Sequence, residues 1–161
     1  PPVFVPADVL SKVIEGLVRN AVENTPDGGA VRVAVRAAST GPELEISDTG
    51  IGISAENQRL IFGHFFTAYE PLQYSTRQPY DFKAGGKGFD LLRIQMFAER
   101  YGFKVRMDSA RCRFIPGDRD ECPGNTGECG HLRRPDECRD AGGTVVTVQF
   151  AAAAGRSSAI A

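Results

Sequence analysis

The sequence has no apolar run long enough to span a bilayer. It has no excess of either charge: 19 Lys and Arg stand against 20 Asp and Glu. That balance gives no overall pull toward nucleic acid or an anionic membrane surface. The N-terminal PPVFVPADVL lacks the basic and long apolar regions of a secretory leader, and reads as a linker running into a helix. Cysteine is sparse and local. All four lie between Cys112 and Cys138, which excludes a chain-wide disulfide framework. Histidine is sparser, with only His64 and His131. What remains is an ordinary globular composition, 42% hydrophobic and 24% charged over 161 residues, enough for one domain with a sizeable core.

Periodicity gives the elements. Val9, Val13 and Leu17 recur every four residues over 8–24, and Leu10, Ile14 and Ala21 widen the stripe, so a helix is expected with Asp8 as its N-cap. Thr25-Pro26-Asp27-Gly28-Gly29 stops it. Val31, Val33 and Val35 alternate with Arg32, Ala34 and Arg36, the pattern of a half-buried strand. Gly41-Pro42 reads as a turn before a second strand at 44–47. A glycine-bearing loop follows at 48–53, and then a short helix at 55–63. Residues 67–86 have no clean period, and a loop of that length is usually functional. Helical spacing returns over 89–101, closed by Gly102. Strands are expected at 103–107 and 144–150, separated by an irregular insert at about 109–142. This order is not a run of βαβ units. It predicts an α+β two-layer sandwich, with a mixed, mostly antiparallel sheet and helices on one face. The expected organisation is one domain over 1–154 and a frayed alanine-rich tail at 155–161.

Four stretches carry chemistry: Gly16-Leu17-Val18-Arg19-Asn20-Ala21, Asp48-Thr49-Gly50-Ile51-Gly52-Ile53, Ile61-Phe62-Gly63-His64-Phe65-Phe66-Thr67 and Ala84-Gly85-Gly86-Lys87-Gly88-Phe89-Asp90-Leu91. Singly, each has an ordinary reading as a helix face, a turn, a core pair and a helix start. Together, in this order, they resemble the N, G1, F and G2 boxes of the Bergerat-type ATPase domain shared by histidine kinases, gyrase-type topoisomerases and the Hsp90 chaperones. The resemblance covers roughly residues 4–109 and 143–150. The IF..FF pattern and the stretch Asn20-Ala21-Val22-Glu23-Asn24-Thr25-Pro26 point to the histidine kinase branch.

That resemblance implies the roles. Asn20 is expected to place its side-chain oxygen on Mg²⁺, which bridges the phosphates of ATP. Asp48 is expected to accept from the adenine amine, a pairing that suits an acceptor-only carboxylate. Gly50 and Gly52 let the backbone approach the base, and Ile53 adds an apolar wall. Phe62, in the F box, and Leu91, in the G2 stretch, complete the nucleotide-binding set. Gly86 and Gly88 present amide hydrogens to the phosphates at a helix N-terminus. Residues 67–86 form a lid. Among Arg77, Lys83 and Lys87, Lys87 is the preferred phosphate cation.

The sequence also departs from the pattern. Gly16 stands where a polar side chain, a water-activating carboxylate in hydrolytic relatives, is usual, and this fits a phosphotransferase better than a free ATPase. Glu23 and Asn24 replace a Lys and an aromatic, and Ala84 replaces the first glycine of its run. Neither histidine lies on a long dimerising helix, so the phosphoacceptor is expected on another domain.

Cys112, Cys122, Cys129 and Cys138 are separated by nine, six and eight residues, without the close C-x₂-C pairs usual at zinc sites. His131 follows Cys129 by two. Zinc binding, disulfides and free redox-sensitive thiols all stay open. Arg111 and Arg113 flank Cys112, which favours its thiolate.

The leading expectation is therefore the ATP-binding catalytic domain of a sensor histidine kinase. It passes the γ-phosphoryl of ATP to a histidine on a dimerisation domain, for relay to a response regulator. The isolated domain is expected to be a monomer and the full kinase a homodimer, with no nucleic-acid partner and a cytoplasmic location. The alternatives are a nucleotide-sensing module without phosphotransfer and a metal- or redox-sensing module working through the insert.

Overall fold

The computed structural model describes residues 3–58, 80–84, 89–117 and 119–152. Helix α1 spans Ala7–Asn24. It buries Val9, Val13, Leu17 and Ala21, the stripe that the spacing predicts. Its cap differs from the expectation. Pro6 precedes the helix and its carbonyl accepts the Leu10 amide, while Asp8 lies inside the first turn and pairs with Lys12 at 3.5 Å. The carboxylate there complements the helix dipole instead of capping an amide. At the other end, Thr25 Oγ1 donates to the Ala21 carbonyl, one of the last four that the helix leaves open, and Asn24 Nδ2 donates to the Asn20 carbonyl.

Strand β1 (Val31–Ala38) pairs antiparallel with β2 (Gly41–Asp48). The turn is Ser39-Thr40, not Gly41-Pro42. Gly41 opens β2 at φ +132°, and a Cβ there would lie 2.1 Å from the Phe150 carbonyl oxygen. The glycine is thus required by a passing chain segment, not by the turn. The rest of the described sheet is β3 (Lys104–Ala110) and β4 (Gly143–Gln149), and the order is β1-β2-β4-β3 with every neighbour antiparallel. Helix α2 is described over Ala55–Gln58, and α3 spans Phe89–Tyr101. Gly102 closes α3 at φ +70°, with the amides of Gly102 and Phe103 both turned back to the Ala98 carbonyl.

The core lies between α1, α3 and one face of the sheet. Val13, Ile46, Ile94 and Val148 are its fully buried side chains, each contributing about 1.5–3 kcal/mol by leaving water. Phe103 and Phe150 close one end, with ring centroids 5.5 Å apart. Val33 and Val35 share a face with their partners Ile46 and Leu44, yet they are 50% and 74% exposed. The half-buried strand expected from their alternation is therefore overturned in part. β1 is an edge strand, and only its start is covered, where Val31 packs against the core.

Between β3 and β4 the chain leaves the sheet at 111 and returns at 142. This segment carries two 3₁₀ helices, Thr126–Glu128 and Pro135–Asp140. It is closed at its root, where the Arg113 amide donates to Ala141, and anchored to the domain there by the Cys112 amide, which donates to Ile51. It is anchored again at its middle, where the Asp27 amide donates to Gly124 and the Thr126 amide to Asp27. Among the described residues no helix is long and apolar enough to cross a membrane.

Candidate functional site

The site is built where the end of α1, the end of β2 and the β3–β4 end of the sheet meet. Asp48, the last residue of β2, accepts the Gly50 amide at 2.9 Å and the Thr144 amide at 3.1 Å, both on Oδ1. Its second oxygen accepts no hydrogen bond from the described residues and keeps its acceptor capacity for a ligand. Burial, only partly opposed by those two amides, pushes the Asp48 carboxyl up to about 6. The fold thus holds an acceptor in a place that disfavours its charge.

The loop after Asp48 is threaded tightly. The Ile51 amide donates to the Asn24 carbonyl, and the Ile51 carbonyl accepts the Cys112 amide. A Cβ at Gly50 would lie 2.2 Å from the Asn24 carbonyl oxygen. Gly52 is at φ +60°, and a Cβ there would lie 1.8 Å from the Ala110 carbonyl oxygen. Only glycine fits such an approach. The Ile53 amide donates to Ser109 Oγ at 2.9 Å, and Gln58 Nε2 ties the Ile53 and Ser109 carbonyls together. The structure therefore brings Asp48, Gly50, Gly52 and Ile53 into one braced loop.

Asn20 lies on α1, one turn from Gly16. Gly16 is buried against α3, where a Cβ would meet Ile94 Cδ1 at 3.5 Å and Asp90 Cβ at 3.8 Å. Asp90, in the first turn of α3, pairs with Arg19, and Arg93 donates to it at 2.7 Å. Leu91 packs half-buried against the core. Phe62, Arg77, Gly86, Lys87 and Gly88 lie outside the described residues, as do His64 and most of the expected lid.

Four residues join the site that the motif reading assigned no role there. Thr144 braces Asp48 through its backbone, a contact carried by strand pairing and invisible as a side-chain motif. Asp90 and Arg19 form an ion pair between helices 71 residues apart in sequence. Glu23 stood out only as a departure. It is 3% exposed, its Oε1 accepts the Tyr80 amide at 3.1 Å and its main-chain carbonyl accepts the Lys83 amide at 2.6 Å. Burial is the largest cause of its raised pKa, opposed by the Tyr80 amide.

The cysteines lie in the insert, half-buried, with no disulfide among them. Burial, reinforced by the neighbouring thiols of Cys112, Cys122 and Cys129, pushes Cys138 up, and burial pushes Cys122 up against the opposing Gly124 amide. The thiols of Cys112, Cys122, Cys129 and Cys138 neighbour one another. Among the described residues no three His, Cys, Asp or Glu side chains are placed to hold a metal ion, and the His131 ring is stacked on Phe114 at 5.9 Å. The arginines beside Cys112 are engaged elsewhere. Arg111 Nε donates to the Ile115 carbonyl and Arg113 lies over the Phe114 ring.

Comparison with known proteins agrees with the fold. The chain is 29% identical over 109 residues to the sensor histidine kinase Hik2 of Thermosynechococcus vestitus, covering 68% of this chain and 26% of that one. It is 40% identical over 67 residues to the adaptive-response sensory kinase SasA of Rippkaea orientalis, covering 40% of this chain and 17% of that one. The chain thus spans about a quarter or less of the length of these relatives. Among solved structures it shares its fold with the mycobacterial sensor histidine kinase MprB, at TM-score 0.56 and 20% identity over 91% of this chain and 73% of that one. The catalytic domain of the histidine kinase ThkA matches at TM-score 0.54 and 15% identity, over 92% and 70%. The family model of histidine kinase-, DNA gyrase B- and HSP90-like ATPases matches residues 6–154. The chain belongs to that family.

Proposed function

We propose that this chain is the ATP-binding, phosphoryl-donating domain of a two-component sensor kinase, a single domain over 1–154 acting on a histidine carried by a separate dimerisation domain. The observation that carries the reading is Asp48. It is a braced acceptor at a strand end, disfavoured as a bare anion and suited to a buried amine donor. Matches to sensor kinases support the choice of reaction.

The residues divide the work. Asp48 reads the adenine amine, and the Gly50–Ile53 loop shapes the wall against which the base lies. Asn20, with a buried and unsatisfied Glu23 oxygen one turn further along, fits an oxygen-ligated Mg²⁺. Held there, Mg²⁺ would supply charge neutralisation to the phosphates. The start of α3, after Gly86, Lys87 and Gly88, directs amide hydrogens and dipole to the phosphates. The γ-phosphoryl then leaves ADP for the attacking histidine nitrogen, with positioning rather than covalent chemistry from this domain. The need for ATP places the domain in the cytoplasm, whether or not the whole kinase is anchored. A response regulator receives the phosphoryl group next.

The test is to mix the domain with the dimerisation domain of the same kinase and radiolabelled ATP. Acid-labile phosphohistidine on the partner supports the proposal. Nucleotide binding without transfer would instead favour a nucleotide-sensing module.

A further inference from the structure

Glu23 is a buried charged side chain whose placement the packing of the domain does not account for. Its Oε2 is buried and accepts no hydrogen bond from the described residues. A buried carboxylate oxygen is costly to leave alone, so a native site that keeps one has a partner in its working state. Among the described residues no hydrogen bond supplies that partner. Arg19, one turn earlier on α1, is committed to Asp90, which also takes Arg93. Arg19 attracts Glu23 through space without hydrogen-bonding Oε2, Asp90 opposes it as a second negative charge, and the Tyr80 amide is used on Oε1.

Asn20 and Glu23 are i and i+3 on one helix, so their side chains project together. An amide oxygen and a carboxylate oxygen, side by side, are ligands for a hard divalent cation that takes its remaining positions from phosphates and water. A carboxylate beside a triphosphate repels it unless such a cation stands between them. We propose that Glu23 is a direct ligand of the divalent cation that enters with the nucleotide, alongside Asn20. The inference rests on the nucleotide-binding reading above. It makes binding at this site depend on the metal.

Glu23→Gln isolates the charge. Its amide oxygen can still accept the Tyr80 amide, and its size is unchanged, so the hold on residues 80–83 survives. The experiment is calorimetric titration of wild type and Glu23→Gln with a non-hydrolysable ATP analogue, in Mg²⁺ and in EDTA, with circular dichroism melts as the folding check. Wild type should bind at least about tenfold tighter in Mg²⁺ than in EDTA. Glu23→Gln should lose most of that gain, while binding in EDTA as well as wild type or better, because a repulsive charge is gone. Glu23→Asp, which keeps the charge on a shorter stem, should retain part of the gain. A Mg²⁺ gain unchanged in Glu23→Gln would overturn the proposal and leave Glu23 as a latch for 80–83. Wild type binding equally with and without Mg²⁺ would also overturn it, with the nucleotide site intact. No binding by folded wild type under either condition would bring down the nucleotide reading and this proposal together.

Discussion

Gly52 passes so close to Ala110 that a single added methyl would lie 1.8 Å from the Ala110 carbonyl oxygen. The backbone there is also at φ +60°, which an L side chain rarely adopts. Gly52→Ala should therefore destabilise the domain by about 2 kcal/mol or more and displace the loop that carries Ile53. A thermal melt and an ATP-analogue titration check this. Unchanged melting and unchanged affinity would contradict the threading described here.

Gly16 predicts the opposite. It is buried in a helix, but a Cβ there makes only ordinary contacts, 3.5 Å to Ile94 and 3.8 Å to Asp90. Gly16→Ala should stabilise by about 0.5–1 kcal/mol through helix propensity, with nucleotide affinity unchanged. Loss of stability on denaturant titration would mean that the α1–α3 contact is tighter than these distances allow.

Asp48 gives a pH signature. Its folded pKa is raised from 3.8 to about 6. Between those values the folded state binds more protons than the unfolded one, so the Asp48 term stabilises at low pH and is lost as pH rises through about 6. Above that the ionised group costs about 3 kcal/mol at most. Asp48→Asn should thus raise stability at pH 7.5, and the advantage should shrink as pH falls from 6 toward 4. Nucleotide binding runs the other way, because the ionised carboxylate is the better acceptor. Wild-type affinity should fall about tenfold from pH 7.5 to pH 5. Melts and titrations across that range read both effects.

The insert thiols give a chemical one. Burial holds Cys138 and Cys122 above the ordinary thiol range, so the reactive thiolate is scarce there. Iodoacetamide should label both slowly at neutral pH and faster as pH rises, read by mass spectrometry of the 112–138 region. Labelling at the rate of a free cysteine would contradict the burial.

The layout was legible where a residue pattern maps directly onto geometry. The Val9-Val13-Leu17 stripe, the Gly102 stop and the alternation of Val146 and Val148 each correspond to an element that the structure contains. Gly50 and Gly52 were legible as a close-approach loop, but the groups they pass are the Asn24 and Ala110 carbonyls, not the expected base. What was not legible depended on neighbours distant in sequence. Val33 and Val35 alternate correctly but lie on an uncovered edge. Gly41 answers to Phe150, more than a hundred residues away. Arg111 and Arg113 stand next to Cys112 in sequence yet bind a carbonyl and a ring. Glu23 reads in sequence as a lost lysine. Only the fold shows it buried, gripping the 80–83 segment, with one oxygen unsatisfied.

The central claim is that ATP binds at Asp48. The most direct measurement is calorimetric titration of the domain with a non-hydrolysable ATP analogue and Mg²⁺, beside Asp48→Ala of verified fold. The account predicts one-to-one binding by wild type and none by the variant. Equal binding by both would place the nucleotide elsewhere and contradict the account.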